Sequence, residues 1–117
     1  MAEKGFKRKL AAILSADAVG YSRLMAEDEV ATVKTMAYYR EVMSSLIKQH
    51  RGRVVDSPGD NVLAEFFSVV DAVQCAVAVQ HEFQTLNAEL SENRRMEFRI
   101  GINLGDVIDE KDRLYGD

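Results

Sequence analysis

The 117-residue chain has one cysteine, one proline, and no apolar stretch approaching the ~18 residues that span a bilayer. With Cys75 alone, no internal disulfide can form. Its place in the apolar run Val69 to Val79 marks it as a small buried hydrophobe, and a reducing cytoplasm fits. The basic start, Lys4, Lys7, Arg8 and Lys9, leads into only Leu10 to Leu14 before a serine and Asp17. Neither a signal peptide nor an anchor is expected, and residues 1–8 read as a solvated basic tail. Excess positive charge is also missing. Fifteen Lys and Arg against nineteen Asp and Glu leave a net charge of -4, which argues against nucleic acid as a partner. His50 and His81 have no partner at metal-ligand spacing and receive no site.

What is present is ample for one globular core, with 47% apolar residues. Leu10 to Ala18 is almost continuously apolar and predicts a strand covered on both faces. From Ser22 to about His50, Val30, Val33, Met36, Met43 and Ile47 recur at helical spacing, predicting an amphipathic helix with a break near its start and Gly52 as its stop. Arg53 to Asp56, the turn Ser57-Pro58-Gly59-Asp60, and Val62 to Phe67 predict a hairpin. Ser68, with Asp71 three residues on, predicts a helix start. Val69, Val73, Ala76, Val77, Phe83, Leu86 and Leu90 then predict its buried stripe. Met96, Phe98, Ile100, Ile102 and Leu104 alternate with polar or small residues as a strand does, and a further strand is expected to follow or to begin near Val107. Asp106 is expected to end a strand in a solvated turn.

Strand, helix, strand, strand, helix, strand is the ferredoxin-like split βαβ order of an α+β domain. In that fold the first strand and the returning hairpin strand are neighbours. Asp17, ending one, and Asp60, in the turn before the other, can therefore converge on a hard cation whose other ligands are phosphate oxygens. Asp60 alone is equally explained by turn chemistry. Asp17 is harder to explain that way, because a carboxylate directly after Ala11 to Leu14 costs desolvation unless paired or metal-bound.

The runs LAAILSADAVGYSRLMAEDE, GRVVDSPGDNVLAEF, SVVDAVQCAVAVQ and FRIGINLGDVI, followed by RLYGD, closely resemble the catalytic domain of class III nucleotidyl cyclases, the adenylate and guanylate cyclases, over about Arg8 to Asp117. The resemblance implies a lyase forming a 3′,5′-cyclic nucleotide, most of all cAMP from ATP, with GTP as the other candidate substrate. It further implies a head-to-tail homodimer and two Mg²⁺ or Mn²⁺ ions per site, held by Asp17, Asp60 and the backbone carbonyl of Ala18. Gly20, Tyr21 and Ser22 resemble the turn that holds the triphosphate. Taken alone, Gly20 and Tyr21 also read as a turn and a core aromatic.

The chain departs from the family pattern at the two base-reading positions, where Asp56 stands for a lysine and Arg113 for an aspartate. The two are expected to lie near one another and either bind purine in a modified way or brace the interface. The asparagine and arginine that follow this motif in the family, with a further helix and strands, do not occur in these residues. The chain thus reads as a partial, C-terminally truncated domain, and by itself is expected to form little or no product. Regulatory domains are expected outside it. The alternative reading is a catalytically degenerate cyclase-like module that dimerises or senses nucleotide. A diguanylate cyclase is disfavoured because the turn reads Pro-Gly-Asp-Asn-Val.

Overall fold

A computed structural model describes the backbone of residues 7–110 and 113–116 and the side chains of residues 10–106. Along the chain run β1 (Lys7–Ala18), α1 (Tyr21–Glu27), α2 (Glu29–Gln49), β2 (Arg53–Asp56), β3 (Asn61–Phe66), α3 (Val69–Ala88), a single 3-10 turn (Glu92–Arg94), β4 (Phe98–Glu110) and β5 (Arg113–Gly116). The strands form one sheet in the order β2-β3-β1-β4-β5, each pair antiparallel, which is the split βαβ arrangement with a fifth strand at one edge. No helix among the described residues is long and apolar enough to cross a membrane. β1 starts at Lys7, inside the stretch expected to be tail. Residues 1–6 and Asp117 lie outside the described residues.

The break in the first helix falls at Asp28, whose carboxylate caps α2 by accepting from Ala31 N–H at 3.1 Å. Ser68 caps α3, accepting from Asp71 N–H at 3.2 Å. Gly52 is not the left-handed residue that ends α2. That conformation falls to Arg51 (φ +65), with Gly52 N–H donating to Ile47 C=O at 2.8 Å and Arg51 N–H to Lys48 C=O at 3.0 Å.

Alternation along β1 puts Ala12, Leu14, Ala16 and Ala18 on the face that also carries Val62, Ala64, Phe66 and Phe98, and all of these are buried. The alanines let α2 and α3 sit close, and Tyr39, Phe83 and Phe98 fill the middle, with ring centroids 4.7 and 5.0 Å apart for Tyr39–Phe83 and Phe83–Phe98. The Tyr39 hydroxyl donates to Asn87 Oδ1 at 2.6 Å, and Asn87 Nδ2 donates on to Met96 C=O at 2.7 Å.

Met36, Met43, Ile47 and Phe83 are buried as expected and Ala76, Leu86 and Leu90 pack against the core, but the N-terminal part of each stripe lies on another face. On α2 the buried row is Thr32, Met36, Tyr39, Met43 and Ile47, while Val30 and Val33 are exposed. Thr32 can lie inside because its hydroxyl donates to Leu24 C=O at 2.8 Å and accepts from Arg94 at 2.7 Å. On α3 the buried row is Ala72, Cys75, Val79 and Phe83, and Val69, Val73 and Val77 face outward. The first half of α3, Val69 to Val79, is apolar nearly all round, so close approach decides which face is buried, and the small Ala72 and Cys75 permit it. Burial pushes the Cys75 thiol up to about 11, so it stays protonated and inert at neutral pH. β4 runs on through Val107 to Glu110, so the further strand is one that follows, β5, and Asp106 sits within β4 opposite Leu10 instead of in a turn.

Candidate active site

The other face of the sheet carries Ile13, Ser15 and Asp17 of β1, Leu63 of β3 and Arg99 of β4, all half-buried or exposed. Register brings the site residues together at one end of this face. Asp17 lies opposite Asn61 on β3 and opposite Arg99 on β4, so the three side chains share a face. Asp60 precedes Asn61, and its carbonyl accepts from Ala18 N–H at 3.2 Å, which ties the hairpin turn to the end of β1.

Arg99 Nη2 donates to Asp17 Oδ2 at 2.8 Å. This hydrogen bond and the carboxylate charge raise the guanidinium pKa above its ordinary value. Nothing in the sequence alone marks Arg99. It is simply an outward residue of an alternating strand until the register of β4 against β1 is known.

The turn that carries Asp60 is held by Asn61 N–H donating to Pro58 C=O at 2.9 Å and Ser57 Oγ donating to Asn61 C=O at 3.3 Å. Gly59 has φ +57, a conformation other residues adopt only at a cost. Its carbonyl accepts a hydrogen bond from Arg40 Nη2 of α2. Just before the turn, the pairing of β2 with β3 slips between Val54 and Asp56. Such a bulge re-aims side chains, and Asp56 Oδ1 accepts from Ser57 N–H at 2.9 Å.

Past Asp17, Val19 N–H donates to Glu97 C=O at 2.7 Å and Gly20 (φ +69) opens α1 with no side-chain cap. The first amides of α1 are thus left for water or an anion. Tyr21 packs against the core, and Ser22 is exposed. The expected proximity of Asp56 and Arg113 is not what the strand order provides. They belong to β2 and β5, the two opposite edges of the sheet, about 19 Å apart at ordinary strand spacing. The cause is that β5 folds back on the outer side of β4; the side chain of Arg113 lies outside the described residues.

Hard oxygens dominate this corner. Besides Asp17 and Asp60, the Asn61 side-chain oxygen is buried without a hydrogen-bond partner, an acceptor that a cation or a bridging donor would satisfy. Among the described residues no group of three or more His, Cys, Asp or Glu is placed to hold a metal. A cation here would therefore take further ligands from elsewhere, as one bound together with phosphate does. The donor set fits Mg²⁺ or Mn²⁺. An open groove of about 360 Å³, lined by Lys34, Thr35, Tyr38, Tyr39, Leu86, Glu89 and Leu90, lies between α2 and α3, on the helical side of the sheet.

No family model matches the chain. Over its whole length it is 49% identical to a protein of Rhizobium meliloti (strain 1021) named "Putative adenylate cyclase 3", of which it spans 20%. Among solved structures, an adenylate/guanylate cyclase/hydrolase from Silicibacter pomeroyi is 37% identical and superposes with a TM-score of 0.82, over 96% of this chain and 66% of that one. The guanylyl cyclase Cya2, 24% identical with a TM-score of 0.79, shares the fold over 97% of this chain and 64% of its own. The chain therefore belongs to the adenylate/guanylate cyclases and forms part of their catalytic domain.

Proposed function

We propose that the protein containing this chain converts a nucleoside triphosphate, most of all ATP, into a 3′,5′-cyclic nucleotide and pyrophosphate. What supports this reading is that Asp17 lies opposite Asn61, whose side-chain oxygen is buried without a partner, and that Ala18 N–H ties the backbone of Asp60 to the end of β1, beside the uncapped start of α1. In the reaction, the ribose 3′-oxygen attacks the α-phosphorus, the bond from that phosphorus to the bridging oxygen breaks with its electron pair leaving on pyrophosphate, and the proton of the 3′-hydroxyl passes to solvent. Asp17, Asp60 and the Ala18 carbonyl would hold Mg²⁺ or Mn²⁺, which lowers the pKa of that hydroxyl and offsets charge on the departing pyrophosphate. The amides at Gly20, Tyr21 and Ser22 would take the triphosphate oxygens. Arg99, released from Asp17, would have phosphate oxygens as its new partners, which suit a guanidinium. The open face of the sheet would be completed by a second copy in a head-to-tail homodimer.

The test is production of cyclic AMP and cyclic GMP by the full-length protein with Mn²⁺ and either ATP or GTP, beside its Asp60→Ala variant. The expected result is product that falls by ~10²–10³-fold in the variant. Retention of Mn²⁺–ATP binding by a folded protein that makes no product would instead establish a nucleotide-sensing module. Base choice has its own check. If Asp56 reads the base, Asp56→Ala shifts the ratio of ATP to GTP turnover by about tenfold, the worth of one charged hydrogen bond. An unchanged ratio would leave Asp56 as a brace of the turn through Ser57 N–H.

A further inference from the structure

We infer that Arg40 is a positioning residue for the Asp60 carboxylate, acting through the carbonyl of Gly59; the inference rests on the reading of Asp60 as a metal ligand. Arg40 projects from the middle of α2, next to the buried Tyr39, and donates from Nη2 to Gly59 C=O across the space between helix and turn. Gly59 is exposed, and nothing lies within 4 Å of where its Cβ would stand. The Gly59 carbonyl and the Asp60 amide share one rigid peptide plane, so anchoring the carbonyl fixes one of the two planes that together set the direction in which the Asp60 side chain leaves the backbone. The other anchors, Ala18 N–H on Asp60 C=O and Asn61 N–H on Pro58 C=O, act on neighbouring planes. Together the three bonds fix the backbone on both sides of Asp60.

Stability alone does not account for an arginine here. Arg40 Nε is buried without a hydrogen-bond partner. An unpaired buried N–H is costly, and an apolar side chain of similar reach would avoid the cost. What the guanidinium supplies in return is a rigid donor delivered from a long helix to the one turn that carries a candidate ligand.

The experiment is a titration of the full-length protein with Mn²⁺ alone, followed by the electron paramagnetic resonance of free Mn²⁺, with thermal unfolding of the metal-free protein measured beside it. Arg40→Met is expected to weaken Mn²⁺ binding by about 10–100-fold, the usual effect of removing a group that orients a metal ligand. Arg40→Lys, which can still donate to a carbonyl, is expected to recover most of it. Should Arg40→Met fail to fold, Arg40→Gln takes its place, since it is too short to reach Gly59. Unchanged Mn²⁺ affinity in a folded Arg40→Met or Arg40→Gln protein overturns the inference, including where its unfolding temperature has dropped, because that result describes a structural brace only. Asp60→Ala separates the two levels. If Asp60→Ala weakens Mn²⁺ binding and the Arg40 variants do not, Arg40 alone loses its role; if Asp60→Ala has no effect, the reading of Asp60 falls and the inference with it.

Discussion

Asp17→Asn in the full-length protein lowers cyclic-nucleotide formation by at least ~10²–10³-fold while leaving the fold intact. Asn keeps the shape of the side chain and removes the charge that both a hard cation and Arg99 require. The fold survives because the Asp17–Arg99 pair sits on the open face, with 33% and 74% of the two side chains exposed, where water and salt screen it. The informative companion is Arg99→Met, which ends the ion pair and keeps the carboxylate. If Arg99 serves only as the resting partner of Asp17, this variant binds Mn²⁺ more tightly and loses no activity. If Arg99 also takes phosphate, Mn²⁺ binding tightens while KM for the nucleotide rises. Initial rates over a matrix of Mn²⁺ and ATP concentrations distinguish the two, and an Asp17→Asn enzyme with near-normal rates would remove Asp17 from the site.

Gly52→Ala destabilises the domain by about 1–3 kcal/mol, the range for forcing extra volume into a packed interior. A Cβ at position 52 would stand 2.6 Å from Phe66 Cζ and 2.8 Å from Cδ2. Phe66 has no exposed surface and cannot swing away. The residue is therefore small for reasons of space, and the left-handed turn beside it is taken by Arg51. The check is the unfolding midpoint of the full-length protein carrying Gly52→Ala, compared with Phe66→Leu and with the double variant. A double variant more stable than the sum of the singles predicts is expected, since Leu vacates the space that the new methyl needs. Strict additivity would mean that β3 shifts instead of the ring.

Much of this architecture is legible in the residues, and the division between what is and what is not follows range. Ser68 with Asp71, the break before α2, and Ser57-Pro58-Gly59-Asp60 are read correctly because caps and turns are decided by neighbours along the chain. The antiparallel neighbours β1 and β3 follow from element order alone. What stays hidden depends on partners far away in sequence. Val73 and Val77 look like core and are not, because the first half of α3 offers apolar residues on every side and only the sheet beneath selects Ala72 and Cys75. Of the site, Asp17 and Asp60 stand out by their place at the end of a strand and in a turn. Arg99, Asn61 and Arg40 do not, since each gains its meaning from a cross-strand or helix-to-turn contact.

The strand order described above also dictates when this domain can fold. β1 lies at the centre of the sheet, and Ala12 pairs with Phe66 on one side and with Leu104 on the other. During synthesis the central strand therefore leaves the ribosome long before either partner exists, and β4, its longer partner, comes last but one. Helices α1 and α2 can form as they emerge, yet the sheet they will cover is assembled only once most of the chain is available. Until then a strand with the apolar run Leu10 to Leu14 at its middle waits with both edges unpaired, the circumstance in which chaperones matter most and in which a stalled or shortened chain aggregates.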